Sequence, residues 1–326
     1  MLTRKGKLMT AIQTYMDTFE RDGYVVVPDV FDPDRAAAAC RDMENLFYGM
    51  SFDEYLAKSE KEGEYAPLET AYGHQFPCGR DPLDTLIEND YLLDLMEAIL
   101  GTDQIRFLFG GLFLRSGPTD TVPGGFGIEH PWQGYHTDHH TACYLPHTQD
   151  SHFNAYLIAG AFLHDIEDDN VPMQIIPGSH KQIPGLIPRL IEEGIFSHWC
   201  SINDIRKIPE FAAPVPAKGK AGSVLLRSSY GVHAAIPFRN KRNRRATWGF
   251  TVCSAGSSAW MTRHIGERGL DTEFTHTFWA KTTPRVRSLF GWPMPGHPYY
   301  THETLGLLAA WYPGIDLSPY EEQLAA

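Results

Sequence analysis

Apolar residues recur at two different periods along this chain, and the period changes near residue 104. Before that point the recurrence is helical. A helix is predicted over about residues 9–20, stopping at Gly23. Tyr24-Val25-Val26-Val27 then reads as a short buried strand closed by Pro28. Asp32 stands as N-cap to a second helix, with Pro33 at its first position. Ala36, Cys40, Met43 and Phe47 follow at helical spacing. Asp81-Pro82 repeats the cap-then-proline signal and predicts one helix through LDTLIENDYLLDLMEAIL to Gly101.

From residue 104 to about 255 the texture is different. Short apolar runs (QIRFLF, LFLR, AYLIAGAFL, MQII, SVLLR, ATWGFTV) alternate with Gly, Pro, Asn and Asp turns. Strands at this spacing, with no regular helices between them, predict an antiparallel sandwich or barrel and not a parallel α/β sheet. The fold class expected is mainly β with helical decoration: a double-stranded β-helix (jelly roll, cupin-like) core flanked by N-terminal helices. Residues 256–326, rich in Trp, Pro and His, follow no clear period and read as an extension covering or flanking the barrel mouth. With no internal repeat or low-complexity linker, a single domain over 1–326 is expected. Its parts are a mainly helical 1–103, a jelly-roll core over 104–255 and the extension 256–326.

Composition narrows the function more than the fold. The 326 residues are 43% hydrophobic and 12% aromatic, enough for a sizeable core. A formal charge of -12 argues against nucleic acid as a partner, which needs a basic face. No run approaches the 18 or so apolar residues of a membrane helix, and the N-terminus does not read as a signal peptide. A cytoplasmic protein acting on a small molecule is expected, which leaves room for a homodimer. Cys40, Cys78, Cys143, Cys200 and Cys253 are scattered, odd in number and never in a C-x-x-C pair, so neither a disulfide framework nor a cysteine zinc site is expected.

Histidine carries the candidate chemistry. Fifteen occur, six of them between His130 and His152. Iron(II) oxygenases hold the metal with two imidazoles and one carboxylate on one face, leaving other positions open. His-x-Asp on an extended segment suits this, because residues two apart leave the same side of a strand. The chain holds one such pair, His136-Thr137-Asp138, whereas composition alone supplies roughly two His-x-Asp/Glu matches by chance. Its context therefore has to decide. Downstream lie Pro177-Gly178-Ser179-His180 after a strand-like MQII, then GSVLLR leading to His233. Arg244, eleven residues beyond His233, opens another strand-like run.

With these motifs the chain resembles the phytanoyl-CoA dioxygenase (PhyH-like) family of iron(II)/2-oxoglutarate oxygenases. The resemblance runs from FERDGYVVVPDVFDPDR through YHTDHH and NVPMQIIPGSHK to GSVLLRSSYGVHAAIPFRNKRNRRA, about residues 15–255, and is weak between 50 and 100. It implies that His136, Asp138 and His233 are the iron(II) ligands and that Arg244 grips the far carboxylate of 2-oxoglutarate. A guanidinium offers the planar, bidentate contact that this needs. It also implies oxidation of a small metabolite with dioxygen, most simply a hydroxylation, with 2-oxoglutarate going to succinate and CO2. Desaturation, epoxidation and rearrangement remain open. Related halogenases have Ala or Gly where this chain has Asp138.

Other residues compete for these roles. Arg245 rivals Arg244, since neighbours on a strand point to opposite faces; the eleven-residue offset favours Arg244. His180 is the rival distal ligand, although the resemblance makes the Gly-Ser-His turn structural. His139 and His140 read equally as pocket or loop residues, and His130, His147 and His152 as loop residues. The run Arg239–Arg245 reads as a solvated hairpin. Trp279, Trp292, Tyr299 and Tyr300 read either as a cover for an apolar substrate or as ordinary packing. Small residues in the middle of Tyr156–Phe162, where the family often carries an aromatic, leave open which side chains support 2-oxoglutarate and suggest a roomier pocket. Two other function classes compete with this one. A non-catalytic cupin-like metal binder is disfavoured by Arg244, and a zinc hydrolase would need an H-E-x-x-H motif that is absent.

Overall fold

The computed structural model describes residues 4–66, 68–70, 76–119, 121–122, 126–127, 130–139, 156–197, 200–257 and 273–324. Two antiparallel sheets form its centre. The larger contains β1 (Tyr24–Val27), β2 (Leu68–Thr70), β3 (Ile105–Ser116), β7 (Leu157–Phe162), β11 (Val224–Ser228) and β13 (Arg244–Ser254), in the order β1-β11-β7-β13-β3-β2. The smaller contains β6 (Tyr135–His136), β8 (Gln174–Ile175), β9 (Ser201–Ile202), β10 (Val215–Pro216) and β12 (His233–Ala234), in the order β10-β8-β12-β6-β9. Facing sheets whose neighbours are distant in sequence match the expected jelly roll.

The N-terminal helices end where their caps dictate. Helix α1 (Arg4–Asp22) stops at Gly23, whose φ of 80° turns the chain into β1. In α2 (Pro33–Tyr48) the Asp32 side chain accepts the Asp34 amide at 2.8 Å, and left-handed Gly49 closes the helix. The helix α3 (Phe52–Glu62) opens on a Ser51/Glu54 capping box that the sequence reading did not pick out. The single helix expected after Asp81 is in fact broken. A short turn, α4 (Asp81–Asp84), precedes α5 (Asp90–Leu100), which takes Asn89 as its own cap. The break follows from Asp84, whose carboxylate accepts the amides of Cys78 and Gly79 at 2.8 and 2.7 Å and folds the preceding loop back.

Strand alternation sorts the core into two layers. Val224 and Leu226 of β11, with Trp248 and Phe250 of β13, pack under Met43, Leu92 and Met96 of the helices. Between them on β11, Leu225 packs with Phe162 of β7 and Ile175 of the smaller sheet. Pairing carries this inner face across the larger sheet, since Leu225 opposes Gly160, Thr247 opposes Phe162 and Arg245 opposes Arg115.

Helix α6 (Ser179–Glu192) follows β8, and the described part of the extension contains four more helices: α7 (Glu273–Lys281), α8 (Pro284–Leu289), α9 (His302–Trp311) and α10 (Ser318–Leu324). Phe278, Trp279, Val286 and Leu289 join the helix-side core, and the Trp279 ring lies 5.7 Å from that of Trp292. Ordinary packing accounts for Trp279, Trp292 and buried Tyr300. No described helix is long and apolar enough to cross a membrane.

Candidate metal centre

In the smaller sheet, β12 pairs with β6 so that His233 lies directly opposite His136, with ring centroids 4.4 Å apart. Asp138 leaves the chain two residues beyond His136, on the same side. Its amide donates to Ser229 O at 3.1 Å, which ties the end of β6 to the loop preceding β12. The ligand atoms of His136, Asp138 and His233 all lie within 4.8 Å of one another.

Each imidazole is oriented by its own backbone. His136 Nδ1 lies 2.9 Å from Gly134 O, and His233 Nδ1 lies 3.0 Å from Gly231 O. A carbonyl only accepts, so each Nδ1 carries a proton and each Nε2 is the ring atom left to face the site. Both Nε2 atoms face Asp138, at 3.5 Å from Oδ1 and Oδ2 respectively. Two imidazoles and a carboxylate, converging through Nε2 and carboxylate oxygen atoms, are a donor set that fits a divalent first-row metal such as iron(II).

Electrostatics hold Asp138 and His233 in their ligating protonation states, and leave His136 to give up a proton when a metal binds. Burial alone would raise the Asp138 carboxyl, but adjacent Arg227, with His233 and His136, holds it well below the usual carboxylate range. Burial, reinforced by Arg227, keeps His233 well below the ordinary imidazole value and therefore neutral. For His136 burial pulls the same way, but its hydrogen bond to Asp138 and that residue's charge outweigh it and raise the value.

Two participants were not found from sequence. Arg227 on β11 points from the inner face, and its Nη2 donates to Asp138 Oδ2. Buried Tyr156 donates its hydroxyl to the Asp138 carbonyl oxygen. The available signal for Arg227 was a single charge at the end of the apolar run Val224-Leu225-Leu226. Tyr156 gave no separate signal.

The remaining candidates lie elsewhere. Arg244 does not join the cluster. Its register turns it to the helix side of β13, where its guanidinium pairs with buried Glu44 and sits 4.7 Å from the Phe52 ring centroid. Arg245 leaves the inner face and donates to Val171 O. The alternation, with Ala246 and Trp248 in the helix-side core, fixes this phase. His180 also stands apart. Its ring packs on Gly23, where a Cβ would come within 2.4 Å of Nδ1, and its Nε2 lies 3.2 Å from Glu20 O. His139 is buried edge-on against Tyr230 at 4.9 Å and is not a loop residue facing solvent. His130 is exposed and stacks on Trp132 at 4.4 Å. His140, Cys143, His147 and His152 lie outside the described residues.

Comparison with known proteins extends this reading beyond the site. The chain is 26% identical over 228 residues to the ectoine dioxygenase of Stutzerimonas stutzeri (strain A1501), covering 68% of this chain and 70% of that one. Solved structures similar to it include EctD from S. alaskensis with 2-oxoglutarate and 5-hydroxyectoine (19% identity, TM-score 0.48, 74% of this chain and 76% of that one). Another is the α-ketoglutarate-dependent epimerase SnoN from nogalamycin biosynthesis (18% identity, TM-score 0.48, 76% and 84%). A sequence model of the family described as phytanoyl-CoA dioxygenase (PhyH) matches residues 19–246, a span that begins in α1, takes in both histidines and Asp138, and ends in β13. That span is well over half the chain, and it places the protein in the phytanoyl-CoA dioxygenase family as an iron(II)- and 2-oxoglutarate-dependent dioxygenase.

Proposed function

We propose that His136, Asp138 and His233 hold the iron(II), and that the enzyme hydroxylates a small organic metabolite with release of succinate and CO2. One observation carries the ligand assignment: both imidazoles are fixed through Nδ1 by the carbonyl two residues earlier, leaving both Nε2 atoms facing Asp138. Iron bound there, with 2-oxoglutarate and dioxygen, supplies the oxidising power. The protein does the rest. The strand pairing of β6 with β12 sets the spacing of the imidazoles. Arg227 keeps Asp138 ionised, and Tyr156 with the Ser229 carbonyl fixes the backbone of Asp138. An arginine at the start of β13 is proposed to meet the far carboxylate of 2-oxoglutarate. The offset from His233 points to Arg244, whereas placement on the inner face favours Arg245. We also infer that residues 1–326 work as one domain, because the described helices of 256–326 share the core of the N-terminal ones.

Anaerobic titration with iron(II) and then 2-oxoglutarate tests the assignment, read by the visible charge-transfer band of the chelate. His136→Ala and His233→Ala should each abolish the band while circular dichroism stays that of the wild type. A band that survives in His233→Ala and vanishes in His180→Ala would move the distal ligand to the Gly-Ser-His turn. Succinate formation across a panel of small metabolites then identifies the substrate.

A further inference from the structure

Arg227 has more donor capacity than its one described partner uses. All five residues of β11 are buried, and Arg227 is the one cation among them. Nη2 serves Asp138. Nη1 is also buried and meets no hydrogen-bond partner among the described residues. An unmatched cationic donor in a dry site costs free energy until an anionic oxygen meets it.

There is room for such an oxygen on the inner face. Arg227 opposes Ile158 of β7, and one step along that face Leu225 opposes Gly160. Among the described residues a Cβ built on Gly160 would meet nothing nearer than Leu225 O at 4.0 Å, so among them space opens diagonally beside Arg227.

We propose that Arg227 is a carboxylate-binding residue of this site, its Nη1 taking a carboxylate oxygen of an acid bound beside the metal while Nη2 stays on Asp138. The inference rests on His136, Asp138 and His233 being the iron ligands. With the far carboxylate of 2-oxoglutarate assigned to an arginine of β13, the acid is the organic substrate, which makes the enzyme selective for an anionic metabolite; 2-oxoglutarate is the other source of the same chemistry. A guanidinium suits this double duty, because its fork serves two acceptors at once where an ammonium is a point charge.

The test uses the full-length protein without oxygen, comparing wild type, Arg227→Met and Arg227→Lys. Iron(II) affinity is measured first by calorimetry, then 2-oxoglutarate binding by the visible band. Acetate and benzoate, with acetamide and benzamide as neutral controls, are then titrated into the loaded proteins. Benzoate or acetate should bind the wild type, and the amides should not. Carboxylate binding should weaken roughly ten- to a hundred-fold in Arg227→Met and recover partly in Arg227→Lys, the loss expected for a charge-assisted hydrogen bond. A loss confined to the 2-oxoglutarate titration would support the proposal and assign the acid to the co-substrate. If Arg227→Met does not fold, Arg227→Lys decides alone, with weakened carboxylate binding at unaltered iron affinity as the supporting result. Carboxylate binding that is equal in all three proteins, or absent from the wild type alongside normal 2-oxoglutarate binding in the variants, overturns the proposal. Arg227 would then be only a counter-charge to Asp138. Failure of the wild type to bind iron is a separate result, which removes the ligand reading and this inference with it.

Discussion

Arg244 and Arg245 have the same charge and the same reach, and they differ only in the face of β13 from which they leave. On the helix side Arg244 has an anion already, Glu44, and an aromatic ring beneath it. On the inner side Arg245 shares a face with Arg115 and Thr247. Removing the arginine that grips the far carboxylate of 2-oxoglutarate should cost about 2–5 kcal/mol of binding, because a partly desolvated charge loses its partner. That is a rise of roughly thirty-fold or more in the apparent 2-oxoglutarate constant. The rise is expected in Arg245→Ala, whereas Arg244→Ala should lower stability by releasing Glu44. The opposite pattern would show that Arg244 reaches inward when ligand binds. The pair shows what spacing reveals about a site and what it does not. His136 and Asp138 were legible because a two-residue step fixes a common side whatever the strand's phase. Eleven residues through a loop fix no phase, so counting alone does not say which of Arg244 and Arg245 turns inward. Arg227 escaped notice for a related reason: a cation in an apolar strand is visible, but its partner comes from a segment ninety or so residues away.

At the scale of elements, the joint between β7 and β13 depends on a histidine outside the metal cluster. His164, just beyond β7, accepts the Ala246 amide through Nε2 at 3.0 Å. Burial, and then the positive charges of Arg244 and Arg245, push its value down to about 4. A histidine with a lowered folded value contributes stability in full above its unfolded value, about 6.5. That contribution is lost as the pH falls towards 4, because the unfolded chain takes the proton first. Between pH 7.5 and 5 the loss should be about 2 kcal/mol. Urea unfolding of the wild type and of His164→Gln at both values checks this. Glutamine keeps an acceptor for the amide without titrating, so the variant should lose about 2 kcal/mol less than the wild type; equal losses would refute it. The elements themselves were unevenly legible. Helix α2 was readable because its cap, proline and apolar spacing agree. The break between α4 and α5 was not, since it depends on Asp84 folding back onto amides of the preceding loop, and the apolar period runs on through it. The helices of 273–324 are short, and the buried rings of α7 serve a core built mainly by residues far upstream, so no local period marks that helix.

For the whole molecule, two sheets and two covering segments place one carboxylate beside two imidazoles, and the fate of that carboxylate decides which reaction is open. In related halogenases the position of Asp138 is Ala or Gly, which leaves room for a halide. Here Asp138 is held from several sides. Its amide donates to Ser229 O, its carbonyl accepts the Tyr156 hydroxyl, and Arg227 takes one carboxylate oxygen while both imidazoles face the group. Letting the carboxylate turn away to admit chloride would break the Arg227 pair and leave a buried cation unmatched, a penalty of several kcal/mol. Chloride, a weakly held monodentate anion, has little with which to offset it. The expected outcome is oxygenated or desaturated product only, with no chlorine isotope pattern in the product mass spectrum even at molar chloride. Asp138→Gly should lose iron affinity in chloride-free buffer, and any affinity restored by added chloride would mark the vacated position as halide-accessible. Chlorinated product from the wild type would mean that Asp138 leaves the metal during turnover, and that the contacts fixing it here do not persist when iron is bound.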